Sequence, residues 1–154
     1  MQKEILLQML EQNRKDCYHF CKNINKENID FRLTEQTASV GFIYRHLGET
    51  ANLIGQFFGY ETTVEGTTLG QEDTGKHYDL ETSRLLFEQG YNTFEKLVNE
   101  TSDIEWLENV ETTWFGKISR IKLFSLTLFH NSHHCGQISS TIVKGKDSNK
   151  IMIG

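Results

Sequence analysis

Residues 120–143 read RIKLFSLTLFHNSHHCGQISSTIV. Apolar residues recur every three or four positions, the period of an amphipathic helix. Ser119 stands where an N-cap belongs and Gly145 where a C-cap glycine belongs. The same stretch holds three of the six histidines, His130, His133 and His134. On a helix, His130 and His134 lie one turn apart and about 40° apart in projection. One helix offers two imidazoles to one metal ion at this spacing. Leu123, Leu126 and Ile138 accompany the pair, which therefore points inward. His133 lies about 60° away on the other side, either exposed or just behind the ligands.

Working outward, three more segments carry the helical period. The first runs from about Lys3 to Ile24, with Leu6, Met9, Leu10, Cys17, Phe20, Cys21 and Ile24 on one side. The second runs from about Thr37 to Phe58, with Thr34 as an upstream cap. The third runs from about Leu80 to Asn99, capped by Asp79, with Leu86, Tyr91, Phe94, Leu97 and Val98 as apolar contacts. The connection GYETTVEGTTLGQEDTGKHY is long, polar and glycine-rich; VETTWFG is a weak strand or hairpin signal. The chain contains no proline, in keeping with helix. Four helices with long crossovers predict an all-α four-helix bundle, residues 1–154 forming one domain.

Composition removes several function classes. With 16 basic and 21 acidic residues the net charge is −5, which disfavours nucleic acid and anionic membrane surfaces as partners. No apolar run approaches the roughly 20 residues of a membrane span, and the N-terminus reads as mature structure rather than a signal peptide. Three cysteines, Cys17, Cys21 and Cys135, point to reduced thiols and a cytoplasmic setting. The segment GTTLGQEDTG lacks the lysine and strand context of a phosphate loop.

A third ligand candidate lies on the second helix. His46, in FIYRHLGET, shares an apolar stripe with Phe42, Ile43, Leu53 and Phe57. A lone histidine there would read as a satisfied core residue. Three inward imidazoles in one bundle are most simply satisfied by one cation, since each unpartnered buried polar group costs about 1–3 kcal/mol. Three protein ligands leave coordination open to water or substrate, the layout of a catalytic site.

RHLGET followed by HNSHHCGQI resembles the DinB/YfiT-like family, whose pattern is a histidine on the second helix and H-x-x-x-H-x-G-Q on the fourth. His46, His130 and His134 match its metal ligands, and Gly136 and Gln137 its G-Q. Cys135 replaces the usual basic residue, at a position pointing about 140° away from His130. The resemblance implies a bundle, often a homodimer, that binds zinc or nickel. In better-understood relatives the metal activates a low-molecular-weight thiol for transfer or isomerisation.

The open metal site together with the resemblance then implies a metal-dependent enzyme acting on a small molecule, a thiol S-transferase or hydrolase. The alternative is a non-catalytic metal-binding bundle with a structural, sensing or stress-response role. Around the ligands, Glu49 could fix the His46 tautomer or be solvated, and Gln137 could bond a bound water, a substrate or a neighbouring helix. Trp106 and Trp114 could wall a substrate pocket or belong to the core. Cys17 and Cys21 read as small core residues, His19 as surface and His77 as part of a polar loop. Gly41, Gly48 and Gly55, seven apart, form a stripe on the second helix opposite His46. It predicts a close helix contact, either with a second subunit or within the chain.

Overall fold

Among the described residues four long helices form where the periodic segments stand: α1 (Gln2–Cys21), α2 (Val40–Phe57), α3 (Leu80–Glu100) and α4 (Arg120–Lys144). The computed structural model describes residues 2–147; residue 1 and residues 148–154, the two ends of the span expected to form one domain, lie outside the described residues. Two small antiparallel sheets join the helices. Strand β1 (Phe31–Arg32) pairs with β4 (Lys146–Asp147), and β2 (Asn109–Thr112) pairs with β3 (Gly116–Ser119). The β2–β3 hairpin occupies the VETTWFG segment. Its turn closes on Gly116, whose φ of +62° suits glycine, and the Thr112 hydroxyl donates to the Gly116 carbonyl at 2.9 Å.

Capping explains where the helices begin and end. Asp79 caps α3 as expected, accepting the Thr82 N–H at 2.7 Å. The cap of α2 is Ser39, which accepts the Phe42 N–H at 3.2 Å, and not Thr34. Thr34 sits instead in a turn closed by Thr37, whose hydroxyl accepts the Leu33 and Thr34 N–H groups. This local bonding holds residues 34–37 out of the helix. Helix α1 stops at Cys21, short of Ile24, because Asn25 and Asn28 bond neighbouring N–H groups in a turn. Ser119 is at the cap position of α4 but makes no side-chain cap bond. Gly145 is extended, with φ −74°; glycine is needed there because a Cβ would strike the Thr141 carbonyl.

The closest helix pairs are α2 with α3, α1 with α4, α2 with α4, and α1 with α3. One apolar cluster runs through all four, and Trp106, Leu47, Val98, Leu123, Phe124 and Ile138 are among its fully buried members. Leu6, Leu10, Cys17, Cys21 and Ile24 face inward, but Met9 and Phe20 are exposed, as is Leu126 on α4. Among the described residues, no helix is long and apolar enough to cross a membrane.

The glycine stripe faces the inside of the chain. A Cβ on Gly48 would lie 2.7 Å from Leu86 Cβ and 2.9 Å from Phe87 N on α3; one on Gly55 would lie 3.0 Å from Thr93 Cγ2. Gly41 meets Ile29 in the same way, and Gly90 of α3 answers by facing Ala51 of α2, its added Cβ 2.5 Å from that of Ala51. Gly48 and Gly55 therefore let α3 approach α2 while Gly41 receives the connection before α2, and the alternative that the stripe receives a second subunit is set aside.

Candidate metal centre

The contact between α2 and α4 places His46 beside His130 and His134. The Nε2 atoms of His46 and His130 are 3.1 Å apart. One nitrogen from each of the three rings lies within 4.8 Å of the others, a set that could hold a metal ion. Imidazole nitrogens at 2.0–2.1 Å from a tetrahedral ion are roughly 3.3 Å from one another, so the 3.1 Å between His46 and His130 suits a shared cation. Burial, with the neighbouring imidazole of His134, lowers the pKa of His46 to about 4. Burial, then His134 and His46, lowers that of His130 to about 3. His134 is also lowered, chiefly by burial. All three rings are therefore neutral near pH 7, the form that ligates metal.

Hydrogen bonds settle which nitrogen faces the cluster. Glu49 is buried at 1% exposure, with its carboxylate accepting from the Thr67 hydroxyl at 2.6 Å, the Thr68 hydroxyl at 2.7 Å and the Thr68 N–H at 2.9 Å. Because the Thr68 hydroxyl gives its one proton to Glu49, it can only accept from His46 Nδ1, 3.3 Å away. That puts the His46 proton on Nδ1 and the lone pair on Nε2. Glu49 thus acts on His46 through Thr68, and is not solvated. On α4, the Gln137 amide oxygen lies 2.7 Å from His134 Nδ1. It accepts that N–H and leaves the lone pair on Nε2 of His134 free to ligate. His130 Nδ1 is buried without a hydrogen-bond partner among the described residues.

The other candidates separate from the cluster. His133 is exposed and stacks on Phe129, ring centroids 6.3 Å apart. His19 is exposed, and His77 lies in the long loop, 3.6 Å from Asp30. Trp106 is fully buried against Phe124, and Trp114 packs edge-on against Phe57; neither lines the cavity beside the histidines. Cys17, Cys21 and Cys135 are free and buried in the core. The Cys17 thiol is pushed up by its hydrogen bond with Cys135 and then by burial, so it stays protonated.

A cavity of about 310 Å³ opens beside the cluster, and His46 and His134 form part of its wall. Phe42 and Ile43 of α2 line it on one side, Thr141 of α4 and Gly70 of the long loop on others. That loop is tied down by the buried ion pair of Arg32 and Asp73, 2.7 Å apart. Burial opposes ionisation of Asp73, but hydrogen bonds from Ser39 and Gly75 and the charge of Arg32 outweigh it and hold its pKa below the ordinary value. Sequence reasoning missed Thr68: a threonine in a polar glycine-rich loop carries no periodic or spacing signal.

No curated protein matches the chain. The model of the DinB family matches residues 1–144, nearly the whole chain, and on that match the protein belongs to the DinB family.

Proposed function

We propose that the protein is a metal-dependent enzyme in which His46, His130 and His134 hold Zn²⁺ or Ni²⁺ and the adjoining cavity takes a small-molecule substrate. The observation that carries this reading is that His46 and His134 belong both to the cluster and to the cavity wall. Among the described residues no further His, Cys, Asp or Glu joins the three. A structural site closed by four protein ligands would need one. The fold is read with it as a single-domain four-helix bundle with long crossovers, and the protein as a homodimer whose two-fold contact lies away from the glycine stripe.

The chemistry that a divalent ion supplies when bound is Lewis-acid activation of a water or a thiol. The chain's own groups prepare for it. Thr68 and Gln137 hold protons at Nδ1 of His46 and His134, so their Nε2 lone pairs face the cluster. Phe42 and Ile43 give the cavity beside the cluster an apolar wall. Thiol transfer and hydrolysis both fit a site of this kind.

Elemental analysis of purified protein tests the reading. One metal per chain is expected, with loss in His130→Ala and His134→Ala while helical content persists. Unchanged metal in both variants refutes the assignment. A low-molecular-weight thiol should perturb the visible spectrum of the cobalt-substituted protein; an unperturbed spectrum would favour hydrolysis or a non-catalytic metal-binding bundle.

A further inference from the structure

We infer that the cavity selects an uncharged, largely apolar molecule bearing a hydrogen-bond acceptor, and that the Gln137 amide nitrogen donates to that acceptor. The inference rests on the reading of the cavity as a substrate site. Among the described residues, no Asp, Glu, Lys or Arg lines it, although such residues make up 24% of the chain. Leu33, Ala38, Phe42 and Ile43 form an apolar wall. A charged group moved from water onto that wall would lose its hydration and meet no partner, a far larger cost than for a neutral group. A bound divalent ion adds positive charge at the histidine end only.

The polar groups of the cavity narrow the class further. Its three threonine hydroxyl protons are already engaged. Thr37 donates to the Thr34 carbonyl at 3.0 Å, Thr68 to Glu49 at 2.7 Å, and Thr141 to the Gln137 carbonyl at 2.8 Å. Gln71 bonds weakly to the Leu69 carbonyl, at 3.5 Å, from an exposed loop. Gln137 differs: its amide oxygen is fixed by His134 Nδ1–H at 2.7 Å, which orients the whole amide. Its NH₂ has no partner among the described residues, so the cavity keeps one oriented donor. A carbonyl, ether or hydroxyl oxygen on an otherwise apolar molecule satisfies it. The volume of about 310 Å³ is at the small end of ligand sites.

Matched pairs of equal shape test this: benzamide against benzoate, and hexanamide against hexanoate. Binding is measured by calorimetry and ligand-observed NMR on the protein after chelator treatment and after zinc loading. Each amide should bind at least about tenfold tighter than its carboxylate in the chelator-treated sample, where no cation is present to pair with the carboxylate. Gln137→Glu keeps an acceptor for His134 Nδ1–H but removes the donor, at an exposed helix position that tolerates it. It should weaken amide binding to the chelator-treated protein about tenfold. Carboxylates binding as well as amides, no amide binding, or an unaltered amide affinity in Gln137→Glu would each overturn the inference. The two readings fail separately. A protein without stoichiometric metal that still prefers amides defeats the metal reading alone; a protein that binds stoichiometric metal but takes carboxylates equally once stripped of it defeats this one alone.

Discussion

Thr68 is the residue on which the centre's proton arrangement turns. It passes the negative charge of the buried Glu49 to His46 with a single hydroxyl, donating to one and accepting from the other. Thr68→Val keeps the shape and removes both bonds, so the His46 tautomer is no longer held. Metal affinity should fall about 10- to 100-fold, the usual range for loss of a partner behind a ligating histidine. Thr68→Ser should restore most of it. Competition titration with a chromophoric chelator measures both, and equal affinities for wild type and Thr68→Val would remove Thr68 from the centre.

At the scale of elements, two glycines on different helices make opposite predictions. Gly136 of α4 has nothing within 4 Å of an added Cβ. Gly136→Ala should therefore stabilise the protein by up to about 1 kcal/mol through helix propensity. Gly48 of α2 has Leu86 Cβ at 2.7 Å, so Gly48→Ala must push α3 away. Overpacking of about 1–3 kcal/mol outweighs the propensity gain, and the variant should be less stable. Urea unfolding of the two variants distinguishes them, and a stabilised Gly48→Ala would contradict the α2–α3 packing. The anchor of the long loop gives a third test. Arg32→Ala strands the buried carboxylate of Asp73, an uncompensated charge that costs about 3–5 kcal/mol. Because the same loop carries Thr68, metal affinity should fall along with stability.

For the whole molecule, the three imidazoles link stability to pH. Folded pKa values of about 4 for His46 and about 3 for His130 lie below the ordinary 6.5. Between those values and 6.5 the unfolded chain binds more protons than the folded one. Stability of the metal-free protein is then full above about pH 6.5 and declines as the pH falls towards 4. Bound metal favours the folded state by mass action, by about 2.7 kcal/mol at a free concentration one hundred times Kd. Thermal unfolding from pH 8 to pH 4, with and without chelator, should show the metal-free melting temperature dropping below pH 6.5. A flat metal-free profile would mean that the rings are not buried together.

The sequence by itself determined the four helical segments, the Asp79 cap and the three histidines, because each is written in a short-range period. Apolar positions repeat every three or four residues, and His130 and His134 share a helix face by spacing alone. It also held the pairing of His46 with them, since an inward imidazole on each of two helices needs a common partner. Only the tertiary structure decided what surrounds them. The Thr68–His46 contact joins residues 22 apart, and His46 meets His130 across 84 residues. The destination of the glycine stripe depended on which helix arrives opposite it. The burial of Glu49 depended on the long loop that brings Thr67 and Thr68 to it, and that of Trp106 on Phe124 of α4: each residue is compatible with several neighbours, and packing selects one.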